Sequence, residues 1–351
     1  MINLNRKFRD RDYLQTEEDF LFCVLGSIHP EDRVFAYLKY VPDPAGKWGV
    51  KDRKYRRALP YYTMKDLLET FKFLKKWPDY LFYSVEWNVE ISAVPITKIK
   101  YHFKPENKVK QLILQKSLDK LQCKAVDLIK IISERSGVPV NYFGLTGSIL
   151  LDIHRDFSDI DIIVYGKYNK EAVKKALISL YDEETYITRL SEQKAKEWCQ
   201  NKVELYPLTY REAEMILKRR WNRGIFKGTM FSIHPVKFED EVSESYGQRI
   251  FKPKGLIKIK ATVLDNSESE FLPATYLVED VKVISGPRVN DIREVTSYEG
   301  LYGGIAEVGE KILCFGKLEE VSDLKDGSKY HRLLVGSREA EGKDYIKPLG
   351  T

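Results

Sequence analysis

Cysteine, methionine and histidine are scarce here, with four Cys, four Met and five His among 351 residues. Cys23, Cys123, Cys199 and Cys314 lie far apart in apolar or helical surroundings, and the histidines form no cluster with them at ligand spacing. A disulfide scaffold and a Cys/His zinc site are thereby excluded, and reduced, buried thiols in a cytoplasmic protein are the expectation. No uncharged apolar run approaches about 18 residues, so a spanning helix and a membrane partner are not expected. The opening stretch, with Arg6, Lys7, Arg9 and Arg11 and no apolar segment after them, lacks the pattern of a secretory leader.

What is present is ample core material, 43% hydrophobic and 12% aromatic, which points to a folded chain. Its length suits two or three domains rather than one. Charge is unevenly placed. Residues 1–110 hold 21 Lys and Arg against 15 Asp and Glu, a surplus that accounts for the whole net charge of +6.

The most informative stretch is 143–166. Gly147-Ser148 is followed, after the ten residues 149–158, by Asp159-Ile160-Asp161 and then Ile162, Ile163 and Val164. Leu150, Leu151 and Ile153 suit a short helix beginning at Ser148, a good N-cap residue. The Ile-rich run suits a buried strand. In a strand, residues i and i+2 share a face, so Asp159 and Asp161 would stand side by side. Carboxylates that close repel each other unless a cation lies between them, and hard oxygen ligands favour Mg²⁺ or Mn²⁺. A Gly-Ser turn opening a helix offers backbone N–H groups to a phosphate chain. The alternative is a capped helix and a strand whose acidic face is merely solvated.

Gly147-Ser148, the spacer and Asp159-x-Asp161 in a hydrophobic strand resemble the signature of the polymerase beta superfamily of nucleotidyltransferases. That resemblance implies a small mixed sheet with helices, an NTP substrate, phosphates gripped by Gly147 and Ser148, and metal held by Asp159 and Asp161. It also implies two metal ions and a third carboxylate on a later strand. In 230–236 the position that resembles the third carboxylate holds Ser232. Glu204, flanked by Val203 and Leu205 in the possible short strand 202–207, is the candidate to replace it; otherwise it is a strand-edge glutamate. More widely, Arg11–Glu17 with His29-Pro30, Arg220–Gly228 and Phe231-Ser232-Ile233 resemble an archaeal family of predicted nucleotidyltransferases.

In chain order, 20–25 and 33–41 read as paired strands and 63–77 as a helix capped by Thr63. Between them, Lys47, Trp48, Arg53, Lys54, Tyr55, Arg56 and Arg57 combine charge for phosphates with flat faces for stacking, the make-up of a nucleic-acid interface; the alternative is a solvated loop. Leucines and isoleucines at helical spacing predict one long helix over 108–136, stopped by Gly137 and Pro139. Helices follow at 169–181 and 191–200. A basic helix capped by Thr209 carries Arg219, Arg220 and Arg223, candidates for phosphate contact, or else a solvated helix end. Residues 229–236 form the next strand. Beyond an acidic connector, 255–335 breaks into short strands and turns, as a small β-barrel would.

The expected class is α+β, with a basic N-terminal α+β domain at 1–107, a polymerase-beta-like nucleotidyltransferase domain at 108–240 and a small β-barrel-like domain at 247–351. The expected activity is Mg²⁺- or Mn²⁺-dependent transfer of a nucleoside monophosphate from an NTP to an acceptor hydroxyl, an RNA 3′ end among the candidates. The alternatives are a catalytically silent nucleic-acid-binding protein on the same fold, and transfer to a protein or small molecule.

Overall fold

The structure is a computed structural model that describes residues 6–50, 53–61, 63–183 and 186–350. It is a mixed α+β architecture of three sheets, met in chain order.

The first sheet is built from β1 (Tyr13–Thr16), β2 (Leu21–Val24), β3 (Arg33–Pro42), β4 (Trp48–Val50), β5 (Arg53–Arg57), β6 (Leu81–Ser84), β7 (Val89–Pro95) and β8 (Ile99–Phe103). Its order is β4-β5-β3-β2-β1-β8, with β7 joining β3 to β6. β3 is buried along almost its whole length because both faces are covered. Val34, Ala36 and Leu38 face one core with Leu74 of helix α1 (Met64–Leu74), which Thr63 caps as expected. Tyr37 and Tyr40 face another with Leu150, Leu151 and Ile153, so the residues after the Gly-Ser pair are anchored in the N-terminal sheet.

Next come α2 (Pro105–Leu114), α3 (Lys120–Ser136), β9 (Phe143–Leu145), α4 (Gly147–Leu150), β10 (Ile160–Tyr165), α5 (Lys167–Asp182), β11 (Ile187–Thr188), α6 (Glu192–Leu205), α7 (Tyr210–Arg219), β12 (Arg223–Phe226) and β13 (Thr229–Val236). The sheet order is β11-β12-β13-β10-β9, with β10 and β13 parallel. Ile160, Ile162 and Val164 of β10 point into a core completed by α3 and α5.

Three expectations are corrected here. The single helix over 108–136 is two, because Asp119 forms a capping box: its side chain accepts from Leu121 N and Gln122 N, while Gln122 returns a bond to Asp119 N. Capping competes directly with helix continuation. Residues 202–205 are helical, not a strand; Val203 and Leu205, alternating with Lys202, Glu204 and Tyr206, imitate period two at the end of α6. The basic helix ends at Arg219, and Arg223 opens β12 because Trp221 turns into the core.

The third sheet contains β14 (Arg249–Asp265), β15 (Ala274–Ser285), β16 (Ile292–Ser297), β17 (Lys311–Asp323), β18 (Lys329–Val335) and β19 (Tyr345–Leu349). Its order is β14-β15-β16-β18-β17-β19, antiparallel except for β16 with β18, and β14 pairs with β17 as well as β15. The barrel expected at 247–351 is shown only as far as this all-strand sheet. Leu208 and Ile216, beside and within α7, enter its core, so the basic helix ties the second sheet to the third.

Candidate functional site

Where the three sheets meet lies a cavity of about 550 Å³. Its geometry starts from one row of residues. The parallel pairing of β10 with β13 sets Asp161 opposite Ser232, and the antiparallel pairing of β13 with β12 sets Ser232 opposite Arg223. Cross-strand partners share a face, so carboxylate, hydroxyl and guanidinium line up across three adjacent strands. Asp159 stands just ahead of β10 and also lines the cavity.

Ser232 Oγ donates to Asp161 Oδ1 at 2.5 Å and lies 2.8 Å from His234 Nε2. A hydroxyl has one hydrogen, and here it goes to the carboxylate, so Nε2 is the donor to Oγ. Burial, with the charges of Arg11 and Arg223, pushes His234 down to about 4 and leaves it neutral at pH 7. Burial opposes ionisation of Asp161, but the bonds from His234 and Ser232 and the charge of Arg11 outweigh it, holding the carboxyl well below the usual carboxylate range. Asp159 is the opposite case: the charge of Asp161, with burial, pushes it up to about 6. One carboxyl is thus fixed as an anion while its neighbour gives up its proton only as pH rises through about 6.

Gly147 is required by this arrangement on two counts. Its φ is +66°, and a Cβ there would lie 2.7 Å from Asp161 Oδ2. The backbone can pass this close to the carboxylate only without a side chain. Thr146, not Ser148, occupies the N-cap position of α4, and its hydroxyl donates to Arg11 O at 2.8 Å. Thr146 and Gly147 line the cavity, while Ser148 is buried behind them.

The N-terminal sheet closes the site with Arg11, Lys39 and Arg57. Lys39, on the fully covered β3, donates to Leu59 O at 3.0 Å; burial and the charge of Arg57 bring it down to about 7. Arg57 lies over the Trp48 ring, 4.6 Å from its centroid. The second sheet and its helices add Lys202, Arg219, Arg220 and Arg223, and the third sheet contributes the glycine-bearing loop 300–304.

Several candidate residues fall elsewhere. Glu204 is exposed on α6, accepts from Gln200 Nε2 at 3.2 Å and borders a separate depression, so it does not complete the carboxylate set. Arg219 lines the cavity but is held by Glu310, with Nη2 to Oε1 at 2.9 Å, and by Ile305 O. Of the proposed nucleic-acid interface, Tyr55 is 2% exposed, because it alternates inward along β5, and offers no face for stacking. Trp48 packs against Tyr40 and Phe157. Arg56 pairs with Asp43 at 3.4 Å, whereas Lys47, Arg53 and Lys54 remain on the surface.

Arg11, Lys39 and His234 received no role from the sequence. Each left a signal: a lysine within the apolar run 33–41, a histidine two residues beyond Ser232, and an arginine opening the stretch Arg11–Glu17.

No described family profile matches the chain, and no solved structure matches it. It is 33% identical over 344 residues to "Uncharacterized protein MJ1086" of Methanocaldococcus jannaschii, an alignment spanning 97% of this chain and 99% of the relative. Identity at that level along both full lengths places the chain in the family of this archaeal protein.

Proposed function

We propose that the protein is a metal-dependent nucleotidyltransferase that moves a nucleoside monophosphate from an NTP to an acceptor hydroxyl. The observation that carries the reading is the row Asp161–Ser232–Arg223, with Asp159 beside it, opening into a cavity lined by cations. In the step itself, the acceptor oxygen attacks the α-phosphorus and the bond to the β-phosphate breaks. Pyrophosphate leaves with the bonding pair, and the hydroxyl proton passes to water.

Asp159 and Asp161 fit a hard divalent cation. Their mutual repulsion holds Asp159 at about 6, which a bound cation would relieve, and Ser232 adds a neutral oxygen beside them. Mg²⁺ or Mn²⁺ bound there would neutralise charge on the transferring phosphoryl group. The chain's own residues bind and orient. Arg11, Lys39 and Arg57 bring positive charge to the carboxylate end, where the triphosphate must lie, and Gly147 lets the backbone approach it. The test is incubation of the pure protein with α-labelled NTPs, Mg²⁺ or Mn²⁺ and cellular acceptors. Product is expected from wild type and Glu204→Ala but not from Asp159→Asn or Asp161→Asn; product that survives both Asn changes sinks the reading.

One observation favours a second reading, a nucleotide- or nucleic-acid-binding protein without turnover. A hydroxyl, not a third carboxylate, stands opposite Asp161. That reading predicts no metal-dependent product at all, together with salt-sensitive polynucleotide binding that Asp161→Asn leaves intact.

A further inference from the structure

Away from the carboxylates, the same cavity holds a second group of cations. Lys202 comes from α6, Arg220 from the end of α7 and Arg223 from the start of β12. Arg220 Nη2 donates to Gly300 O and Leu301 O, each at 2.6 Å, which fixes the guanidinium against the loop 300–304. Its Nε is buried and has no hydrogen-bond partner. Lys202 Nζ lies 5.5 and 5.7 Å from the ring centroids of Trp198 and Tyr206. Among the described residues no carboxylate pairs with Lys202, Arg220 or Arg223, although their neighbour Arg219 is taken by Glu310.

These three cations repel one another, and the carboxylates that line the cavity do not pair with them: Glu270 is taken by Lys170 and Lys174, and Asp159 and Asp161 lie at the Arg223 end. Burial and this repulsion bring Lys202 down to about 8 and Arg220 to about 10. Arrangements of this kind are stabilised by an anion, and a guanidinium with an unused N–H is suited to phosphate. The triphosphate does not account for them, since on the reading above it belongs beside Asp159 and Asp161 with Arg11, Lys39 and Arg57. Only Arg223, in the row with Asp161, spans the two groups. A cavity of about 550 Å³ walled by all three sheets is in the usual range for small ligands, roughly 300–1,000 Å³.

We propose that Lys202, Arg220 and Arg223 form an anion subsite for the phosphate group of a small hydroxyl-bearing acceptor, so that the nucleotidyl group passes to a phosphorylated small molecule and not to a polynucleotide. The role of acceptor rests on the transferase reading, whereas anion binding does not. Atoms balance as before: the acceptor hydroxyl gains the nucleoside monophosphate, pyrophosphate leaves and one proton goes to water.

The test is calorimetric titration of the full-length protein with inorganic phosphate in EDTA, alongside titration with a single-stranded RNA oligonucleotide. Lys202→Gln and Arg223→Gln should weaken phosphate binding about tenfold or more, the loss of one charge-assisted contact, and change RNA affinity less than about twofold. Arg220→Lys keeps the charge and a donor to the 300–304 carbonyls, so it should fold and still lose affinity through the missing fork. Phosphate binding unchanged in these variants overturns the subsite; equal loss of phosphate and RNA binding makes the group part of a polynucleotide track and also overturns it. With labelled NTP, label entering RNA and no small product overturns the acceptor. Failure of the transferase reading is distinguishable, as it shows as no Asp161-dependent product while phosphate binding retains its dependence on Lys202 and Arg223.

Discussion

Gly147→Ala isolates the closest contact in the site. The new methyl would sit 2.7 Å from Asp161 Oδ2, where only backbone now passes, on a residue with φ of +66°. The left-handed backbone alone costs an alanine about 1–2 kcal/mol. Relieving the contact means moving the Asp161 carboxylate, which loosens its 2.5 Å bond from Ser232 and adds about 1–2 kcal/mol. The sum is about 2–4 kcal/mol of unfolding free energy, read by chemical denaturation, and Mn²⁺ affinity measured by calorimetry should fall with it. The decisive measurement is a double-mutant cycle. With Asp161→Ala in place the methyl meets nothing charged, so only the backbone cost should remain and the two changes should be non-additive by about 1–2 kcal/mol. Strict additivity would refute the reasoning, since it would mean that the alanine is expensive for its φ alone.

Three further outcomes follow from the same geometry. Asp159 is held at about 6, against an ordinary 3.8, by the charge of Asp161 and by burial. Between those values the folded chain binds more protons there than the unfolded chain, so in EDTA stability falls as pH rises through this window. Asp159→Asn should flatten that part of the melting-temperature profile, and identical profiles would contradict the assignment. Arg219→Ala removes the paired contact with Glu310 and the bond to Ile305 O and should cost about 1.5–3 kcal/mol in denaturant unfolding, with little change in metal binding. Tyr55→Ala should cost about 3–5 kcal/mol because the ring is core, while Lys54→Gln, on the surface of the same strand, should leave the melting temperature unchanged.

Local signals carried much of the fold. Thr63 and Gly137 bound their helices as their chemistry requires, and the Ile-rich run around Asp161 is the buried strand its composition predicts. The misreadings share a cause. Apolar spacing over 108–136 continues through Asp119, whose capping box is a local event that periodicity averages away. Around Glu204 a short alternation fits a period of two as readily as 3.6, and the segment is the last turn of α6. At the site, Asp159, Asp161 and Gly147 were legible because they lie close together in the sequence. Arg11, Lys39 and His234 were not, because what joins them to Asp161 is strand register and sheet packing, neither of which adjacent residues record.

Register also alters the meaning of the chain's charge. All the net positive charge lies in residues 1–110, which by itself suggests a basic domain that grips nucleic acid outside the catalytic unit. Three of those cations, Arg11, Lys39 and Arg57, instead line the cavity that holds Asp159 and Asp161. The same sheet receives Leu150, Leu151 and Ile153 from the motif segment, and Arg11 O accepts from Thr146 beside Gly147. A region fastened to the motif through both its core and its backbone forms one wall of the site. Arg11, Lys39 and Arg57 therefore face the cavity, whereas Lys47, Arg53 and Lys54 face solvent. The hydroxyl opposite Asp161 belongs to the same logic: with so much fixed positive charge around two carboxylates, Ser232 holds one of them as an anion without adding a further negative charge.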